Sequence, residues 1–213
     1  MRQQIPNILT LLRVVFAGCF FGALSLYRFP ETGIFWGNVA IGLFVIAAIT
    51  DALDGHLARR WKVVSNFGRI MDPFCDKVLV LGAFIYLSGG RFMVKEWFDD
   101  DRLLTMASGV YPWMVVVILA RELFVTSIRG VTESQGRAFG SKLSGKLKMI
   151  LQSIAIPIVL LLVVNWPSTE HDAIFWTCNS LMWLTIFITV WSGIPYLIGI
   201  RSLMSNEPAD KDR

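Results

Sequence analysis

Four aspartates lie within residues 51–76, in the stretch DALDGHLARRWKVVSNFGRIMDPFCD. Asp51 and Asp54 are three residues apart, and Asp72 and Asp76 are four apart. On a helix either spacing turns both carboxylates to one face, within about 60° of each other. Two such pairs on consecutive helices converge on one point, where four carboxylates stay ionised only if cations join them. Hard oxygen donors suit Mg²⁺, Mn²⁺ or Ca²⁺ rather than a soft metal. Two hard cations a few ångström apart serve phosphoryl chemistry by neutralising phosphate oxygens and stabilising a leaving group. Gly55 and Gly68 would let backbone or ligand approach closely, and Arg59, one turn after Gly55, is able to pair with a phosphate. On spacing alone a plainer reading stays open, in which these are solvated loop charges paired with Arg59, Arg60, Lys62 and Arg69.

The elements that must position these acids follow from composition. The chain has 213 residues, 54% hydrophobic and 17% charged, with mean hydropathy +0.57. A soluble domain sits nearer ~45–50% apolar and about 25% charged. The apolar excess comes in blocks separated by short charged stretches, the pattern of several membrane helices. Six spans are predicted, at about 9–27, 34–54, 72–90, 111–129, 147–165 and 175–200, in an all-α integral membrane protein. Apolar Ile5, Ile8, Leu9 and Leu12 alternate with polar Asn7, Thr10 and Arg13, which suits a short N-terminal interfacial helix leading into the first span. That block reads as a retained helix rather than a cleaved signal, because further spans follow. Residues 1–213 read as a single domain with a polar tail from about Ser205.

Length places the second aspartate pair within the membrane. Residues 78–88 give roughly 16 Å of helix at 1.5 Å per residue, so a span across ~30 Å of hydrocarbon must begin near Asp72. Ionised carboxylates there are costly and default to a functional reading. Lys and Arg set the orientation, since cytoplasmic segments carry their excess. With the N-terminus inside, fifteen lie on inner segments, against four outside (Arg28, Arg91, Lys95 and Arg102), and Arg121 lies within a span. Both termini and all four aspartates are therefore expected at the cytoplasmic side of a multi-pass cell (inner) membrane protein. Trp36, Trp97, Trp113, Trp166, Trp176 and Trp191 fall mostly near span ends, as interfacial anchors do. The last span is longer than a bilayer needs, and Pro195 is expected to kink it unless it tilts.

The net charge of +4 is too small to argue for nucleic acid. Cys19, Cys75 and Cys178 lie in or beside apolar blocks without a zinc or disulfide pattern. His56 and His171 have no metal-ligand partner at helical spacing, and residues 99–101 read as a solvated acidic loop.

A second constellation lies at the same depth and side as the acids. Arg121 and Glu122 interrupt the fourth span, Arg129 ends it, and Lys146 and Lys148 begin the fifth. A buried arginine needs a partner. These cations are either an anionic pocket for a substrate that carries a phosphate, or an Arg121–Glu122 pair plus ordinary inner-side charges. Lys146 and Lys148 stand about 200° apart on a helix, which weighs against both entering one pocket.

The acidic segment resembles the CDP-alcohol phosphotransferase signature, D-x2-D-G-x2-A-R-x8-G-x3-D-x3-D. It has Asp51, Asp54, Gly55, Ala58, Arg59, Gly68, Asp72 and Asp76 at the fixed positions with no departure. The resemblance implies a six-helix fold, usually a homodimer, with a cytoplasmic active site and Mg²⁺ or Mn²⁺, two ions, as cofactor. It implies that Asp51, Asp54 and Asp72 ligate the metals, that Asp76 is the general base and also touches a metal, and that Asp51, Asp54, Gly55, Ala58, Arg59 and Gly68 line the CDP site. The segments IPNILTLLR, ARELFVTSIR and SGKLKMILQ are similar to those of phosphatidylglycerophosphate synthases. That similarity implies CDP-diacylglycerol and glycerol 3-phosphate as substrates, with Arg121, Arg129, Lys146 and Lys148 holding the acceptor's phosphate. Inositol phosphate, inositol or serine are the alternative acceptors. From a different class, a divalent-cation transporter would use the same aspartates, although no inverted repeat is visible. Resemblance covers roughly residues 5–155; beyond Pro157 only hydrophobicity is legible.

Overall fold

The computed structural model describes residues 4–30, 32–61, 66–99, 103–134, 143–166 and 171–198. Among these residues seven α-helices run in chain order: α1 (Gln4–Leu26), α2 (Ile34–Trp61), α3 (Asn66–Leu87), α4 (Lys95–Asp99), α5 (Pro112–Ser134), α6 (Leu143–Asn165) and α7 (Asp172–Trp191). All but α4 are 20 residues or longer. The only extended pairing among the described residues is two isolated bridges, Arg28 with Thr32 and Met93 with Met106. The all-helical expectation is therefore met.

Three stretches among the described residues are long and apolar enough to cross a membrane: Ile34–Asp51, Ser144–Asn165 and Asp172–Ile198. Leu11–Leu26 and Lys77–Leu87 are shorter apolar helices. Large apolar side chains are exposed all along the bundle, including Leu11, Val116, Trp176, Phe187 and Ile198. Helices apolar on their outer faces as well as in their core suit lipid rather than water, and the chain is a membrane protein.

The helices differ from the predicted spans in instructive ways. The N-terminal interfacial segment and first span form one uninterrupted helix, α1, because Pro6 falls in its first turn, where a missing N–H is tolerated. Helix α2 continues well beyond Asp51 through Ala- and Leu-containing sequence to Trp61, and α3 begins at Asn66, ahead of Asp72. The acids therefore lie within helices rather than at their ends. The expected kink near Pro195 is a break: α7 ends at Trp191, four residues earlier, where proline cannot donate back to the carbonyl. Ser192 and Gly193 form a turn, with Gly193 N–H donating to the Val190 carbonyl at 2.9 Å, and residues 194–198 resume one helical turn.

Within lipid, helices gain little from hydrophobic transfer, so close packing and interhelical hydrogen bonds hold them. Helix α1 packs on α2 and α3, α6 on α2, α3 and α7, and α5 on α3 and α7. Buried Ala17, Ala23, Ala40, Ala47, Ala83 and Ala155 bring backbones together. Around them pack Phe20, Phe44, Phe84, Met114 and Ile156, with the Phe20 and Phe44 rings 5.5 Å apart. At one end, Tyr111 donates to Asn179 Oδ1 (3.2 Å) and Ser108 Oγ to the Leu87 carbonyl (2.7 Å), tying the α5 entry to α7 and α3.

Gly109 makes that entry possible. Its φ is +67°, and a Cβ there would lie 2.9 Å from the backbone of Asn179 in α7. Replacing it with alanine is expected to cost about 1–3 kcal/mol, read as a lowered thermal midpoint of the detergent-solubilised protein. Gly22→Ala, where a Cβ meets nothing within 4 Å, should leave the midpoint unchanged or raise it.

Candidate active site

One end of the bundle gathers the start of α1, the end of α2, the start of α3, the end of α5, the start of α6 and the turn after α7. Polar contacts between these elements define it. On the acidic side, Arg13 of α1 pairs through Nη1 with Asp51 Oδ1 of α2 at 2.7 Å. Arg13 is fully buried, so its guanidinium is committed to the bundle interior. An arginine at that depth requires an anion, and the aspartate that opens the acidic signature provides it. Sequence reading left Arg13 without a role; 38 positions separate it from Asp51, and no local periodicity links them.

A cavity of about 240 Å³ runs from this ion pair between α1, α2, α3 and α6, lined by Phe44, Ala47, Leu79, Ile150 and others. One end is therefore charged and the remainder apolar. Asp54, Gly55, Ala58 and Arg59 lie on α2, and Gly68, Asp72 and Asp76 on α3. The placement of their side chains lies outside the described residues. Among the described residues no group of three or more His, Cys, Asp or Glu side chains gathers as a metal site.

On the cationic side, Glu122 of α5 is the centre. Arg121 Nη1 donates to Glu122 Oε1 at 3.0 Å, and Lys148 of α6 bonds the same oxygen. Arg121 Nη2 also reaches the Ser192 carbonyl at 3.4 Å. One turn along α5, Thr126 Oγ1 donates to the Glu122 carbonyl (2.7 Å) and is met by Lys77 of α3. Lys77 follows Asp76 in the chain, so this contact ties the acid-bearing helix to the cation-bearing one. Arg129 Nη2 donates to the Tyr196 hydroxyl at 2.7 Å.

Of the four cations predicted from sequence, three are drawn into this arrangement: Arg121, Arg129 and Lys148. Lys148 is buried, whereas Lys146, two residues earlier, is exposed on another face of α6. The 200° separation read from the sequence is realised. Arg121, Arg129 and Lys148 carry three positive charges against one on Glu122, an excess of two among these described groups. Moreover, Arg121 Nε, Arg129 Nε and Ser144 Oγ are buried with no hydrogen-bond partner among the described residues. Unsatisfied buried donors are expensive. Together with the charge excess they suit an oxyanion carrying about two negative charges, which a phosphate monoester supplies. Glu122, Ser144 and Tyr196 were not assigned as site residues from sequence. Glu122 had been visible only as a partner for Arg121, and Tyr196 lay in a stretch that read as plain hydrophobic.

Comparison with known proteins identifies the family. The family description "CDP-alcohol phosphatidyltransferase" matches residues 3–191. A Bacillus subtilis (strain 168) protein named CDP-diacylglycerol–glycerol-3-phosphate 3-phosphatidyltransferase is 33% identical over 206 residues, covering 91% of this chain and 93% of its own. An Escherichia coli (strain K12) protein of the same name is 30% identical, covering 95% of this chain and 97% of its own. One from Cereibacter sphaeroides is 34% identical over 164 residues, covering 76% of this chain and 65% of its own. The acidic signature, these relatives and a family match spanning nearly all the described helices leave one conclusion: the chain is an enzyme that belongs to the CDP-alcohol phosphatidyltransferase family.

Proposed function

We propose that this enzyme transfers the phosphatidyl group of CDP-diacylglycerol to glycerol 3-phosphate, giving phosphatidylglycerophosphate and CMP for phosphatidylglycerol synthesis. The observation that carries the acceptor assignment is the excess of two positive charges on Arg121, Arg129 and Lys148 over Glu122, with three buried donors unpartnered among the described residues. Serine and inositol bring no phosphate to such a place; inositol phosphate would, and the relatives' names favour glycerol 3-phosphate over it. Membership of a transferase family favours group transfer over cation transport.

In this reading Asp51, Asp54, Asp72 and Asp76 hold two Mg²⁺ or Mn²⁺ ions. The donor set fits: every member is a hard carboxylate, the spacings turn each pair to one helix face, and no soft ligand stands among them. When bound, such ions neutralise the diphosphate oxygens and stabilise the departing CMP. Arg13 holds the Asp51 carboxylate in one orientation. Asp51, Asp54, Gly55, Ala58, Arg59 and Gly68 line the CDP site, and the apolar cavity beside Asp51 suits the lipid part of the donor. Arg121, Arg129 and Lys148 hold the acceptor's phosphate, with Lys146 adding charge from the exposed side of α6. Asp76 takes the proton from the acceptor hydroxyl, whose oxygen attacks the lipid-side phosphorus as CMP leaves.

We further propose one membrane domain with six spans, working as a homodimer in the cell (inner) membrane, with both termini and the acids on the cytoplasmic side. The bias of fifteen basic residues to four supports that orientation.

Purified protein with Mg²⁺ and CDP-diacylglycerol should release CMP only when an acceptor is added. In a panel of glycerol 3-phosphate, inositol phosphate, inositol and serine, mass analysis should find phosphatidylglycerophosphate as the main product; no CMP with any acceptor would remove the assignment. Lys148→Ala should raise the KM for glycerol 3-phosphate roughly tenfold or more, the scale of one charge-assisted hydrogen bond. Lys146→Ala should raise it only about twofold, as for an exposed charge. Equal losses for both substrates would exclude the assigned pocket.

A further inference from the structure

Tyr196 is fully buried, yet no element of the proposed reaction uses it. It lies in the turn of helix that follows the break at Ser192–Gly193, and it faces the two arginines of α5. Its hydroxyl accepts from Arg129 Nη2 at 2.7 Å. Its ring centroid lies 5.5 Å from Arg129 Cζ and 6.0 Å from Arg121 Cζ. Both guanidiniums are therefore within cation–π range of one ring. On its other side, a Cβ built on Gly145 of α6 would stand 3.9 Å from the hydroxyl, so α6 closes over the tyrosine next to Ser144.

Two guanidiniums about two turns apart on a helix that turn toward one point repel each other and, being long, sample many rotamers. A single aromatic ring between them removes both problems: its negative face attracts each cation, and its hydroxyl occupies one fixed Arg129 donor. Arg121 is held at its Nη atoms by Glu122 and the Ser192 carbonyl. Among the donors left on both residues is Nε, buried and without a hydrogen-bond partner among the described residues. We propose that Tyr196 is a positioning residue for the acceptor: its hydroxyl and ring fix Arg129 and Arg121 so that both Nε–H groups serve one phosphate. This rests on the assignment of these arginines to the acceptor's phosphate, and gives that pocket a specificity device on the last described helical segment. The break before Pro195 acquires a purpose, because a straight continuation of α7 would carry residue 196 onto a different heading.

The test is the initial rate of CMP release by the full chain in mixed micelles. Glycerol 3-phosphate is varied at saturating CDP-diacylglycerol, and then the reverse. Tyr196→Phe keeps the ring and removes the hydroxyl; it should raise the KM for glycerol 3-phosphate roughly tenfold, as for one hydrogen bond to a charged group. Tyr196→Leu, which removes the ring as well, should raise it further. For Tyr196→Phe the KM for CDP-diacylglycerol should stay within about twofold, as for an independent site, and the thermal midpoint should not move. Arg129→Ala, measured in parallel, separates the two ideas. If it raises the acceptor KM while Tyr196→Phe does not, the tyrosine proposal is overturned and the pocket stands. If Arg129→Ala leaves the acceptor KM unchanged, the pocket fails and the tyrosine proposal fails with it. A Tyr196→Phe protein whose two KM values rise together, or whose midpoint drops with the acceptor KM unchanged, assigns the residue to packing and overturns the proposal.

Discussion

Charge buried in an apolar helix bundle must be compensated locally, and this requirement organises the functional end of the molecule. Arg13 meets Asp51, and Glu122 is shared by Arg121 and Lys148. Arg13–Asp51 joins α1 to α2 and Glu122–Lys148 joins α5 to α6, so contacts that make the charges tolerable also fix those helices against each other. Removing one partner would strand the other away from water, which costs more than the pair contributes when intact. These pairs are thus better seen as constraints on arrangement than as sources of stability.

The two halves of the site use that constraint in opposite senses. In the proposed reading the four aspartates of the acidic half would be compensated by divalent ions that also meet a diphosphate. The cationic half retains a positive excess, which an incoming phosphate monoester would meet. Lys77, next in the chain to Asp76 and bonded to Thr126 on α5, spans the two. Donor and acceptor would then be brought to one boundary by electrostatic demands that neither half satisfies alone.

Much of this was legible in the sequence, for identifiable reasons. Hydrophobic blocks located six long helices because lipid-facing and core-facing residues are both apolar, and the acids stood out because their offsets match a helical turn. The helix ends were less legible. Hydropathy reports where lipid stops, not where hydrogen bonding stops, so α2 runs on to Trp61 and α3 begins at Asn66 without an apolar signal. Pro6 and Pro195 look alike in a pattern, yet the first sits in an opening turn and the second ends α7 four residues earlier. Long-range partners were invisible: Arg13 and Tyr196 act through tertiary contacts that no spacing predicts. Lys146 and Lys148 show the converse, since the helical angle between them weighed against both entering one pocket, and Lys148 is buried while Lys146 is exposed.

The most direct test of the central claim is anomalous diffraction from the protein crystallised with Mn²⁺ and CDP-diacylglycerol. The account predicts metal peaks within about 2.0–2.6 Å of carboxylate oxygens from both α2 and α3, drawn from Asp51, Asp54, Asp72 and Asp76. Peaks bound elsewhere, or a map in which those four side chains diverge too far to share an ion, would contradict it.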